Sequence, residues 1–358
     1  MTAFGRNFLP GPTDVHPEVL AALAQPMFGH RSARMQAIYA AVQAPLQECL
    51  GTSQPVFLAT SSGTGLIEAA VRSGVRERVL VAVGGYFGEY FARIAESCGK
   101  VAFRVEVHAG RAITPEQLDQ FLEGPAVDAV ALVHSESSTG ALADIAALAK
   151  VVRARKDVLL LVDGVTSVGA MPIEMDRWGV DYYCTGSQKA MALPPGLAFG
   201  AASERFLERA ARREDAGTFL SVRKMVRIAR ENLPTWTPAM SLILALECQL
   251  SRIARNGGWP ARWERHCLMQ RRLEAWVGAR GDVGFMAPAG ARSPAVSALT
   301  LPPGRSPPAV IDALEARGYL VGGSLVREHD PIIRIGHMGD LGLPHLEALL
   351  GELAEILA

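Results

Sequence analysis

A chain of 358 residues with 49% hydrophobic content can bury one large core and a smaller second one. Lys+Arg and Asp+Glu both total 36, and no basic tail or stripe stands out, which argues against nucleic acid or an anionic membrane as the main partner. No apolar run approaches the roughly 18 residues of a membrane span, the N-terminus lacks a signal-peptide pattern, and the scattered Cys49, Cys98, Cys184, Cys248 and Cys267 have no C-x-x-C spacing, as expected of reduced thiols in a cytoplasm.

Residues 8–13 read as an extended, proline-locked arm, followed by a short helix over 17–23 and a longer one over 35–50. Strands are expected at 56–59, 79–83, 101–107, 129–133, 159–162 and 182–185. Helices intervene at 66–72, 90–97, 115–122 (N-capped by Thr114) and 145–155. Alternating β and α implies an α/β body with a mostly parallel sheet covered on both faces. A third apolar run follows at 196–200, then an arginine-rich helical stretch over 203–230 and an apolar-faced helix over 240–255. Gly257-Gly258-Trp259-Pro260 marks a hinge. Beyond it a helix at 261–277, strands at 295–301 and 332–335, and helices at 309–317 and 346–357 fit a smaller α+β domain. The expected division is an arm (1–15), a large cofactor-binding domain (16–256) and a small C-terminal domain (257–358).

The run ending at Val162 delivers Asp163 to a strand's C-terminal edge, and the strand at 182–185 delivers Gly186-Ser187-Gln188-Lys189. Open α/β sheets bind ligands at that edge, so an acid and an amine are expected in one crevice, which suits a Schiff-base cofactor. The chain has only five lysines, Lys100, Lys150, Lys156, Lys189 and Lys224, and four of them look solvated. Lys189 stands apart from other charges, and an amine can lose the proton that a guanidinium keeps. A lysine paired with a nearby carboxylate is the plainer alternative. Asp163 suits a protonated pyridine nitrogen, or else the N-terminus of the following segment.

Ser61-Ser62-Gly63-Thr64-Gly65 opens a helix after a strand, as an anion cradle or a simple cap. Gly84-Gly85-Tyr86-Phe87-Gly88 offers a ring to a planar heterocycle, or a lid on the core. His134-Ser135-Glu136-Ser137-Ser138-Thr139-Gly140 either bonds a ligand or caps a loop. Arg334, alone in an apolar run, matches a substrate carboxylate or reaches solvent from an edge strand. His337 reads as structural, and His30, Arg31 and Trp178 carry no assignment.

Taken together, Leu9-Pro10-Gly11-Pro12-Thr13, Ser62-Gly63-Thr64-Gly65, Glu136-Ser137-Ser138-Thr139-Gly140, Asp163 to Gly169, Asp176 to Asp181, Gly186-Ser187-Gln188-Lys189, Pro194-Pro195-Gly196-Leu197 and Arg334 to Gly339 resemble, in order and spacing, the class V aminotransferases of the alanine–glyoxylate / serine–pyruvate group. The resemblance spans nearly the whole chain. It implies the fold of type I pyridoxal 5'-phosphate (PLP) enzymes and a ping-pong transamination through a Lys189 aldimine, from alanine or serine to glyoxylate or pyruvate. It further implies Asp163 on the pyridine nitrogen and Gln188 and Ser138 near the phenolic oxygen. Ser62, Gly63 and Thr64 would hold the phosphate, with Phe87 and Val165 on the two ring faces. Thr237 would reach the neighbouring subunit's phosphate in a homodimer with shared sites, and Arg334 the substrate carboxylate. Tyr90 stands where the family often has an arginine.

Three alternatives stand behind this. A 2-aminoethylphosphonate-type transaminase shares the framework. A cysteine desulfurase resembles it too, but Gln188 replaces the histidine expected before the lysine, and no cysteine follows Cys267. A non-catalytic ligand-binding homologue is disfavoured by the joint presence of Lys189, Asp163 and Arg334.

Overall fold

The structure, a computed structural model, describes residues 4–213, 217–326 and 330–358. Its strands are β1 (Asn7–Phe8), β2 (Phe57–Ala59), β3 (Arg78–Val83), β4 (Val101–Glu106), β5 (Ala129–Val133), β6 (Ser135–Glu136), β7 (Ala141–Leu142), β8 (Leu159–Asp163), β9 (Tyr182–Gly186), β10 (Ala198–Ala202), β11 (Gly284–Phe285), β12 (Val296–Thr300), β13 (Leu320–Gly323) and β14 (Ile332–Gly336).

Seven of them form one sheet in the order β2-β10-β9-β8-β5-β3-β4. The pairs from β9 through β8, β5 and β3 to β4 are all parallel, whereas β10 runs antiparallel to both β9 and β2. The reversal is made by the turn before β10, where Gly196 takes φ +119°, a left-handed conformation that favours glycine. The sheet is buried on both sides, and the period-two alternation of a strand sorts its residues between two cores. Leu160 and Val162 of β8 join Val130, Leu132 and Tyr183 in one, while Leu159 and Leu161 join Ala129, Ala131 and Tyr182 in the other. Helices Ala33–Leu50, Ile145–Arg153 and Met240–Arg255 cover the first face, and Gly63–Gly74 and Tyr86–Ser97 the second.

The second sheet has the order β1-β13-β14-β12-β11. Helices Gly258–Arg280, Pro307–Ala316 and Leu343–Leu357 pack on it through Leu273, Leu314 and Leu353. The N-terminal arm supplies its edge strand, with Asn7 and Phe8 parallel to Leu320 and Val321. The arm therefore pairs with the C-terminal sheet before the chain crosses to the large one.

Two expectations need correction. The stretch expected to be helical over 203–230 holds two helices, Glu204–Ala210 and Val222–Ala229, and its residues 214–216 lie outside the described ones. The break after residue 256 is made by Gly257 and Gly258, at φ +93° and +72°. Pro260 does not break anything: it sits in the first turn of helix Gly258–Arg280, where its missing N–H has no intrahelical partner to lose.

Candidate active site

The C-terminal ends of β2, β3, β8 and β9 deliver their following loops to one edge of the large sheet. There, Gly11, Pro12, Ser62, Gly63, Thr64, Ile67, Phe87, Tyr90, Asp163, Val165, Gln188, Lys189 and Pro195 line one cavity of about 340 Å³. Five stretches far apart in sequence thus meet, and the acid and the amine share a wall.

Asp163 is the last residue of β8, every residue of which is buried. Its Oδ1 accepts the Val165 N–H at 2.8 Å. Burial pushes its pKa up to about 6, and the nearby Glu136 adds to this, while the Val165 bond and the charge of Lys189 oppose it.

Lys189 is the one buried lysine of the five. Burial, reinforced by the charge of Arg334, lowers its pKa to about 8, against the pull of Asp163 and Glu136. Its Nζ donates to the Pro10 carbonyl, not to a carboxylate, and lies 5.9 Å from the centroid of the Phe87 ring. The arm is latched over it: the Thr13 N–H donates to the Gln188 carbonyl at 3.1 Å, and the Thr13 hydroxyl to the Lys189 carbonyl at 3.2 Å. Gly11, at φ +112°, passes so close that a Cβ there would stand 2.7 Å from the lysine Cδ.

Ser62 precedes helix Gly63–Gly74 and makes no side-chain cap bond, so the first-turn N–H groups face the cavity edge without that partner. A Cβ on Gly63 would lie 2.5 Å from Val165 Cγ2; glycine is what lets the helix start meet the Val165 turn. Gln188 Oε1 is buried with no hydrogen-bond partner among the described residues. Phe87 is held by Glu136, whose Oε2 accepts the Phe87 and Gly88 N–H groups at 3.0 and 3.1 Å.

Three expected site residues lie outside this wall. Ser138 is fully buried; its hydroxyl donates to Glu136 and accepts the Tyr86 N–H at 3.0 Å. Arg334 is buried on β14, where Nε donates to the Gly323 carbonyl at 2.6 Å and Nη1 to that of Ser137 at 3.1 Å. Its Nη2 makes no hydrogen bond to a described residue. Thr237 lines a separate pocket with Thr60, Phe219 and Trp236. Of the remaining polar groups, His337 is buried and bonded to Ser297 at 3.0 Å, and Trp178 lies edge-on to His134.

The sequence gives the Pro10–Thr13 arm no site role, and offers Glu136 only as part of a stretch that bonds a ligand or caps a loop. The proline-locked turn was visible, but its contact with residue 189 spans 179 positions of sequence. Glu136 carried a detectable signal, a carboxylate three residues beyond the buried strand β5.

These groups fit PLP. A buried carboxylate with a free oxygen suits a protonated ring nitrogen, a helix start with open N–H groups suits a phosphate, and a lysine of lowered pKa suits attachment to an aldehyde. The Gln188 amide adds a polar atom that the described residues leave unsatisfied.

The family described as aminotransferase class-V matches residues 11–316. The L-aspartate–glyoxylate aminotransferase of Paracoccus denitrificans is 31% identical over 353 residues, 95% of this chain and 88% of that protein. The serine–glyoxylate aminotransferase of Methylorubrum extorquens is 29% identical over 368 residues, covering 97% of this chain and 90% of that protein. Among solved structures, the alanine–glyoxylate aminotransferase of Nostoc sp. superposes with a TM-score of 0.93 at 28% identity, over 100% of this chain and 96% of its own. On this fold and these matches, the chain belongs to the class V aminotransferases, PLP-dependent transaminases of fold type I.

Proposed function

We propose that this transaminase moves the amino group of a small amino acid, alanine or serine, to glyoxylate or pyruvate in two half-reactions, as a cytoplasmic homodimer with shared active sites. The observation that carries the reading is the buried amine of Lys189 sharing one cavity with the buried carboxylate of Asp163. The three relatives named above share glyoxylate in their names and differ in the donor, which supports glyoxylate as the acceptor. No helix among the described residues is long and apolar enough to cross a membrane.

The cavity lining supports these roles for a bound cofactor. Ser62, Gly63 and Thr64 would hold the phosphate, Phe87 and Val165 would face the ring, and Gln188 would serve the phenolic oxygen. Ser138, its hydroxyl engaged by Tyr86 and Glu136, serves that oxygen by fixing the loop that carries Phe87. Thr237 reaches the partner's phosphate from its separate pocket. Residues 16–256 form the cofactor-binding body and 257–358 the smaller one, to which the arm of residues 1–15 adds its strand.

PLP supplies an electron sink for the carbon that loses its proton. Asp163, ionised, keeps a proton on the ring nitrogen and so keeps that sink open. The Lys189 amine, neutral in an accessible pH range because of its lowered pKa, takes the α-proton of the donor and returns it. Arg334 orients the substrate through its carboxylate, with Nη2 free to donate. The arm over Lys189 excludes water from this exchange.

The test joins a variant to a covalent trap. Borohydride reduction of the holoenzyme followed by peptide mass spectrometry should find the cofactor on Lys189, and Lys189→Ala should lose multiple turnover. Turnover of the variant at the parental rate would sink the assignment. Assaying 2-aminoethylphosphonate beside alanine and serine separates the phosphonate alternative.

A further inference from the structure

Where helix Met240–Arg255 gives way to helix Gly258–Arg280, three guanidiniums converge on one carboxylate. Arg252 and Arg262 pair with Asp340 at 2.7 and 2.8 Å, and Arg265 stands off at 4.0 Å. These four residues line a cavity of about 230 Å³. Its wall includes the buried Arg252 and Arg262, and its rim the exposed Phe4 and Asn256, so a solute can enter.

The charges there do not balance. At the rim, Glu18 pairs with Arg252 at 3.6 Å and with Arg255 at 2.7 Å. Among the described residues, Arg252, Arg255, Arg262 and Arg265 therefore pair with no carboxylate but Glu18 and Asp340, which leaves two positive charges over. Unpaired charge away from water is costly. Arg265 bears most of that cost. Among the described residues its buried Nε has no hydrogen-bond partner, and its Nη2 hydrogen-bonds the Gly339 carbonyl at 2.5 Å. Burial and the neighbouring charge of Arg262 push its pKa down to about 10.

We propose that this cavity binds a small dianionic oxyanion, of which inorganic phosphate is the simplest, with Arg265 as its principal ligand and Arg252 and Arg262 behind. A double negative charge matches the excess, and a guanidinium fork matches oxyanion geometry. The site is distinct from the cofactor's phosphate cradle, which is built from Ser62, Gly63 and Thr64 on the large sheet's edge. It nonetheless touches the same turn. Arg262 Nε and Nη2 both donate to the carbonyl of Ala190, next to Lys189, and Gln249 Nε2 donates to that of Met191 at 3.0 Å. An anion that draws on Arg262 therefore acts on the segment that aims Lys189.

Calorimetric titration of inorganic phosphate into the holoenzyme, at constant ionic strength, tests this with the cofactor cradle already filled. The expected result is saturable binding of about one phosphate per chain, accompanied by a rise in Tm. Arg265→Leu should weaken binding by at least about tenfold, the scale of one charge-assisted contact, with cofactor content unchanged. Should the leucine variant fail to fold, Arg265→Gln, which keeps length and polarity, carries the same expectation. Absence of saturable binding to the parent overturns the proposal. So does parental affinity in the Arg265 variants, or loss of binding in Thr64→Val with those variants unaffected, which would place the anion in the cofactor cradle.

Discussion

At Asp163, burial and chemistry pull in opposite directions. Without cofactor the carboxyl holds its proton up to about pH 6, while in the unfolded chain it releases it near its ordinary value of 3.8. Between those values the unfolded state binds fewer protons, so the apoprotein loses stability as pH rises, and the loss is complete above about 6. At 1.36 kcal/mol per pKa unit the shift corresponds to about 3 kcal/mol. Asp163→Asn keeps the acceptor for the Val165 N–H and removes the charge. The variant apoprotein should match the parent near pH 4 and exceed it at pH 7 by up to about 3 kcal/mol in denaturant melts, while binding cofactor poorly. Equal stability at pH 7 would show that the carboxylate is not desolvated. Asp163 and Lys189 were legible as residues because each stood out chemically from its neighbours: a charge ending an apolar strand, a lysine in a chain that prefers arginine. The engagement of Ser138 with Glu136 was not legible, since a hydroxyl in a Ser/Thr-rich loop has many partners within reach.

Among the elements, helix Gly63–Gly74 shows how tightly a site can be fitted to its scaffold. An alanine at Gly63 would drive its Cβ against Val165 Cγ2, on a stiff β-branched side chain. Gly65 offers a contrast, because a Cβ there meets the Ser61 hydroxyl, which can rotate away. Gly63→Ala should therefore cost about 1–3 kcal/mol in thermal melts and speed cofactor loss on dialysis, with Gly65→Ala much milder. Similar behaviour of the two would mean the close approach at Gly63 is unimportant. The long strands and helices were readable because their periodic apolar faces repeat over several residues. β1 and β11, two residues each, are too short for any period, and β13 ends in Gly322-Gly323, which lowers its strand signal. Gly322 has a tertiary reason: a Cβ there would stand 2.9 Å from the Pro10 ring of the arm.

At the scale of the whole molecule, the two sheets are tied by the arm and by Asp340. Its carboxylate bonds Arg252 and Arg262, which lie on the helices before and after Gly257, and Gln249 reaches it as well. Burial alone would raise the Asp340 pKa, but the charge of Arg262 and bonds from both arginines hold it well below the usual carboxylate range. Asp340→Asn leaves two buried guanidiniums facing a neutral amide, and should cost about 3–5 kcal/mol in urea denaturation at pH 7. A cost under about 1 kcal/mol would mean the cluster is solvated and does not join the sheets.

The amino-acid order by itself determined the alternation of strand and helix, the sheet edge at which Asp163 and Lys189 meet, and the residue types delivered there. Each of these is set by short-range periodicity and by the rule that open sheets bind at their carboxyl ends. Only the tertiary structure decided that the arm pairs with the far sheet and lies across Lys189, and that β10 runs against its neighbours. It also decided that three arginines more than seventy residues from Asp340 crowd around that carboxylate. Those facts depend on which distant surfaces pack together, and packing is settled by shape and buried charge across the fold, which no local stretch of sequence encodes.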